Sequence, residues 1–150
     1  MIEKSKHIQD IEEEPTVKAL RFISLNLGAM AVAYAIFYLG PSSWVRVPRN
    51  QKAMSEQISL VQNIDRFGPV WTFLFALIGI LIILTIVRGR WVIYSHGIAA
   101  GAWVFYGAAI LFGAVLSEPP PTTILPGAAA IFSSITHAGM ARAWAGEGVK

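Results

Sequence analysis

The chain has 150 residues, of which 55% are hydrophobic, with no cysteine and a formal net charge of +3. A mean hydropathy of +0.55 lies outside the ordinary soluble range, and the missing thiols exclude disulfides, thiolate metal sites and thiol redox catalysis. The basic residues flank apolar runs, so membrane topology and anionic head groups account for them, and no nucleic-acid partner is expected.

Residues 1–18 form a charged arm containing Glu12-Glu13-Glu14 and interrupted by Pro15. Its composition predicts a solvated tail, loosely helical or disordered until the membrane is reached. A cleavable signal peptide needs a short basic start followed at once by an apolar core, so the first span is expected to serve as an uncleaved insertion signal.

The first predicted span is 19–39, bounded by Arg21 and closed by Gly40-Pro41. Gly28, Ala31 and Ala35 lie along it as a small-residue stripe. Asn26 is expected to hydrogen-bond a neighbouring helix. Tyr34 and Tyr38, with Trp44 beyond, suit an aromatic belt at the far interface.

The long connection that follows carries Met54, Ile58, Val61, Ile64 and Phe67 at steps of three or four, with Lys52, Glu56, Gln57, Gln62 and Asp65 between them. That periodicity predicts a short amphipathic helix over 51–67 lying on the membrane surface. A helix that binds a protein partner is the alternative.

Two apolar runs then follow, 69–87 and 92–116, joined only by the Arg88-Gly89-Arg90 hairpin and Trp91. About 20 apolar residues cross a bilayer core of roughly 30 Å, so each spans, and the tight joint makes them an antiparallel pair. Pro69 suits the first helical turn of the earlier run. That run is bulky and branched nearly everywhere and reads as lipid-facing. The later run holds Gly97 and Gly101 as a small-xxx-small pair, with Gly107 beyond, which permits close helix approach.

Ser117-Glu118 and three prolines end the third span. The fourth, 123–144, is the least hydrophobic, yet Gly127, Ala130, Ser134, His137 and Ala141 recur at steps of three and four on one face. A span so weak is expected to be sheltered by other helices. Residues 145–150 form a short tail. The fold class is therefore all-α, an integral membrane four-helix bundle with a surface helix between its first two spans.

With the N-terminus cytoplasmic, the inside holds Lys4, Lys6, Lys18, Arg21, Arg88, Arg90, Arg142 and Lys150, against Arg46, Arg49, Lys52 and Arg66 outside. This distribution predicts both termini in the cytoplasm, and four spans with short loops and no targeting peptide suit a bacterial inner membrane.

No Asp or Glu lies within a span to complete a triad or a proton relay, and there is no glycine-rich phosphate loop, so no catalytic residue is assigned and the chain is not expected to be an enzyme. His96 and His137 fall at similar depths, about 7–8 Å and roughly 10 Å from the same surface at 1.5 Å per residue. They are the one pair placed to ligate a haem b or a metal, with helix-to-helix hydrogen bonding as the plainer use of the same side chains. What else remains is packing. The small-residue faces of spans one, three and four bury one modest core and leave a further face for a homo-oligomer or for a larger, respiratory-type membrane complex.

In layout the chain resembles the small four-span, holin-like membrane proteins of bacteriophages of actinobacteria. The resemblance rests on size, the arm 1–18, the Arg88-Gly89-Arg90 hairpin and the terminal run Thr136-His137-Ala138-Gly139-Met140-Ala141-Arg142-Ala143-Trp144. It covers most of the chain but no diagnostic motif, so it carries over no functional residue. Holin-like proteins usually end in a strongly charged tail, whereas only Glu147 and Lys150 are charged after Trp144. The resemblance implies a protein that oligomerises in the inner membrane and permeabilises it.

Overall fold

The computed structural model describes residues 15–40, 60–65, 67–116 and 124–148, which form five helices and no strand. These are α1 (Pro15–Leu39), α2 (Leu60–Asp65), α3 (Val70–Arg88), α4 (Val92–Val115) and α5 (Ile124–Gly146). All but α2 are long and apolar enough to cross a bilayer. The chain is an all-α membrane bundle. Most of the arm, Trp44, the part of the connection before Leu60 and Glu118 lie outside the described residues.

Helix ends follow from local chemistry. Pro15 opens α1, where a residue without an N–H costs no intrahelical bond. Pro69 sits one place earlier than expected, at the cap of α3 instead of in its first turn. At the other end of α3, Gly89 adopts a left-handed φ of 63°. Its N–H donates to Ile86 O while that of Arg90 donates to Thr85 O, the double bond pattern of a Schellman stop. Trp91, also left-handed at φ 68°, then launches α4.

The membrane helices stand in the cyclic order α1, α3, α4, α5, so chain neighbours run antiparallel, and α1 faces α4 across a diagonal. The two intimate pairs are α4 with α5 and α1 with α3; the hairpin pair, α3 with α4, is looser. Glycine explains the difference. A Cβ built on Gly79 would lie 2.7 Å from Gly28 O, and one on Gly107 would lie 3.0 Å from Gly127 O. Backbones meet at these two points only because no side chain intervenes. Between α3 and α4, by contrast, Phe75, Trp103 and Tyr106 fill the space, with ring centroids 4.8–5.1 Å from Phe75.

Two expectations are corrected by this packing. The branched second span does not simply face lipid: Trp71, Phe75, Ile78, Gly79, Ile82 and Ile86 of α3 are buried, because one glycine suffices for close approach and the bulky residues fill the centre. Tyr34 and Tyr38 are not an interfacial belt. Tyr34 packs edge-on against Trp103 at 5.0 Å, and the Tyr38 hydroxyl lies 2.7 Å from that of Tyr106. Lipid is met instead by residues such as Phe22, Phe37, Phe73, Leu77, Phe112 and Phe132, all more than half exposed.

The connection shows one and a half turns of helix among its described residues. Val61 and Ile64 of α2 pack on the core, and the Val61 carbonyl accepts the indole N–H of Trp71 at 2.9 Å. Phe67 lies beyond the helix and is exposed.

Candidate functional site

The bundle has two unlike ends. The end away from the hairpin is the aromatic cluster of Tyr34, Tyr38, Trp71, Phe75, Trp103 and Tyr106. At the hairpin end, four polar side chains from three helices meet in the buried interior. Ser24 comes from α1, His96 from α4, and His137 and Trp144 from α5. Ser24, His96 and His137 have no exposed surface to speak of, and Trp144 is 2% exposed.

The contacts run in series. Trp144 Nε1 donates to Ser24 Oγ at 3.1 Å. Ser24 Oγ lies 2.9 Å from His96 Nε2, and His96 Nδ1 lies 2.9 Å from His137 Nδ1. An indole can only donate, so Ser24 Oγ accepts from Trp144, and the histidine tautomers are assigned as those that use the Ser24 proton within the series. Ser24 then gives its own proton to His96 Nε2. His96 keeps its proton on Nδ1 and donates it to His137, whose proton sits on Nε2. This tautomer assignment follows from the network. Reversing the two histidine bonds would leave the Ser24 proton with no acceptor in the series. His137 Nε2 ends the chain, buried and without a partner among the described residues.

A second hydroxyl contact lies beside it. Thr85, in the last turn of α3, and Ser95, in the first turn of α4, have their oxygens 2.8 Å apart. Each also lies within hydrogen-bond reach of a carbonyl of its own helix, Ile82 O and Val92 O. This pair ties the looser α3–α4 seam just inside the hairpin.

The structure thus brings His96 and His137 together, as the sequence predicts, but in a geometry that does not fit haem. The rings are 5.2 Å apart at their centroids and joined directly through Nδ1. Two imidazoles in hydrogen-bond contact leave no space for an iron and its macrocycle between them. Among the described residues no three His, Cys, Asp or Glu side chains converge on a point where a metal would sit. What the arrangement does is bind α1, α4 and α5 to one another.

Of the predicted packing residues, Gly28, Ala31 and Ala35 are buried on α1, and Gly107 is buried on α4. Gly127, Ala130, Ser134 and His137 are buried on α5, while Ala141 is half-buried. Gly97 and Gly101 do not join them. Both are exposed, and a Cβ on either would meet nothing within 4 Å. Asn26 also departs from expectation, donating to Phe22 O of its own helix on an exposed face.

Ser24 and Trp144 were not singled out by the sequence reading. The signal was there: Ser24, Gly28, Ala31 and Ala35 recur at steps of four, three and four, and Trp144 extends the α5 stripe by three. No family model, no curated protein and no solved structure matches this chain.

Proposed function

We propose that this protein is a non-enzymatic, holin-like membrane protein that assembles laterally in a bacterial inner membrane and permeabilises it, with both termini in the cytoplasm. The observation that carries the reading is the outward face of α4, where Gly97 and Gly101 stand open at one-turn spacing. Within a bilayer, helices associate through small residues because lipid is as apolar as a leucine side chain and bulk alone brings no gain. The bundle uses Gly28, Gly79, Gly107 and Gly127 internally, whereas Gly97 and Gly101 on α4, and Gly139 on α5, stand open.

The fourth span supports the same reading. α5 is the least hydropathic of the four, yet only 28% of its span is buried within the chain, against 44% for α3 and α4. Its outer surface carries Thr136, Ala138 and Gly139, with Ser133 half-exposed, beside the apolar Phe132 and Ile135. A weakly apolar face next to an open glycine pair is better covered by protein than by lipid. The two faces belong to the tightly paired α4 and α5, so one assembly contact can cover both.

The test is expression of the full chain in a bacterium loaded with a voltage-sensitive dye, alongside Gly97→Leu/Gly101→Leu at matched membrane levels. The wild-type chain is expected to form higher oligomers by crosslinking and to collapse the membrane potential, and the double variant to do neither. A wild-type chain that leaves potential and viability unchanged would overturn the permeabilising role. Persistence of the oligomer in the double variant would overturn the assembly face. A chain that instead co-purifies in fixed ratio with other membrane proteins would belong to a larger complex as an accessory subunit.

A further inference from the structure

At the hairpin end, α3 and α4 form a half-open cavity of about 480 Å³. Its lining combines the basic Arg88 and Arg90, the aliphatic Leu84 and Ile98, and the rings of Trp91 and Tyr94. No acidic side chain lines it, and no ion pair to Arg88 or Arg90 is present among the described residues.

The hairpin's own construction creates this shape. Thr85 and Ser95 hold the seam closed inside, while Arg88 and Arg90, beside the left-handed turn at Gly89 and Trp91, are exposed. The strained positive φ at Trp91, rare for a residue with a bulky side chain, carries its indole to the exposed rim.

We infer that this groove is a binding site for an anionic phospholipid, with the phosphate held by Arg88 and Arg90 and an acyl chain laid against Leu84 and Ile98. Three features select that ligand. Two guanidiniums with no carboxylate beside them among the described residues match a phosphodiester, which they engage through paired N–H donors. The aliphatic wall is of no use to a free phosphate. Indole and phenol rings at the boundary are the side chains that favour the head-group level. The site stands apart from the assembly proposal, since it requires neither Gly97 nor Gly101.

The experiment is native mass spectrometry of the intact chain released from detergent, titrated separately with phosphatidylglycerol and phosphatidylcholine. Wild type is expected to retain phosphatidylglycerol and to bind it at least tenfold more tightly than phosphatidylcholine. Arg88→Gln/Arg90→Gln should weaken phosphatidylglycerol about 30-fold, from the attraction each basic residue near a membrane surface supplies. Arg142→Gln, a basic residue at the same end of the bundle but outside the groove, should leave it unchanged. Ile98→Trp should reduce binding by filling the aliphatic wall while sparing both charges.

Equal loss with Arg142→Gln would show diffuse attraction and overturn the site, as would equal binding of the two lipids. Displacement of the lipid by millimolar inorganic phosphate would mark a site for free anions and overturn the lipid assignment. Both arginines are exposed, so the variants are expected to fold, and an unchanged far-ultraviolet circular dichroism spectrum checks that they do.

Discussion

Gly79→Ala is the most informative single substitution in the bundle. A Cβ there would lie 2.7 Å from Gly28 O, 2.8 Å from Val32 Cγ2 and 2.9 Å from Val32 N, whereas ordinary contact begins at 3.4 Å. Two of these three atoms are backbone, which no rotamer change can move aside. Helices α1 and α3 must therefore part by about 0.7 Å along their seam. Overpacking of this kind costs about 1–3 kcal/mol, and it must outweigh the roughly 0.5–1 kcal/mol that alanine gains over glycine inside a helix. Gly97→Ala supplies the contrast, because it has the same chemistry on an open face and should cost the monomer nothing. Gly107→Ala should fall between, since its nearest obstacle at 2.9 Å is the flexible end of Ile131 and only Gly127 O, at 3.0 Å, is rigid. The assay is reversible unfolding of the full chain in mixed micelles, following circular dichroism against the mole fraction of dodecyl sulfate. Equal stability of Gly79→Ala and wild type, or equal losses at Gly79 and Gly97, would refute the close-approach reading.

Ser24→Ala strands both Trp144 Nε1 and His96 Nε2, and should cost about 1–3 kcal/mol in the same unfolding assay. Trp144→Phe leaves the Ser24–His96 bond intact and should cost less, near the average of about 0.6 kcal/mol for a hydrogen bond between membrane helices; the opposite ranking would contradict the order of the series. A double-mutant cycle on Tyr38→Phe and Tyr106→Phe should return a coupling of about 0.5–1.5 kcal/mol, and independence of the two would place their hydroxyls out of contact. Protein purified in mild detergent should show no Soret band, because the imidazoles bond to each other; a band that disappears in His96→Ala or His137→Ala would refute that geometry.

Span number and approximate ends were legible in the sequence because hydropathy over twenty residues reports directly on the solvent. The stripe of α5 was legible too, with Gly127, Ala130, Ser134 and His137 all inward. What periodicity does not report is which of two faces turns inward. On α4 one small-residue face carries Gly97 and Gly101, and another carries Ser95, Ala99, Ala102 and Ala109; the structure buries the second. The choice depends on His96, which lies beside Ser95 and must reach Ser24 and His137. Local spacing contains no information about partners 72 and 41 residues away. Tyr34 and Tyr38 show the same limit. An aromatic residue near a span's end fits a belt or a core equally well until its neighbours are placed.

Two kinds of contact therefore divide the work of specifying this bundle. In lipid there is no hydrophobic effect to drive one apolar helix against another. The glycine contacts supply selectivity of neighbour: Gly28 with Gly79 joins α1 to α3, and Gly107 with Gly127 joins α4 to α5. Those seams alone would tolerate sliding, since a small residue recurs near each. The polar series removes that freedom. Ser24, His96, His137 and Trp144 link α1 to α4 across the diagonal, α4 to α5, and α5 back to α1. A slip of one helical turn, about 5.4 Å, exceeds the reach of any of these bonds, so moving α1, α4 or α5 alone breaks at least one of them, while the Thr85–Ser95 contact holds α3 to α4 in the same way. Close packing chooses which helices meet, and the buried polar series fixes the height at which they do.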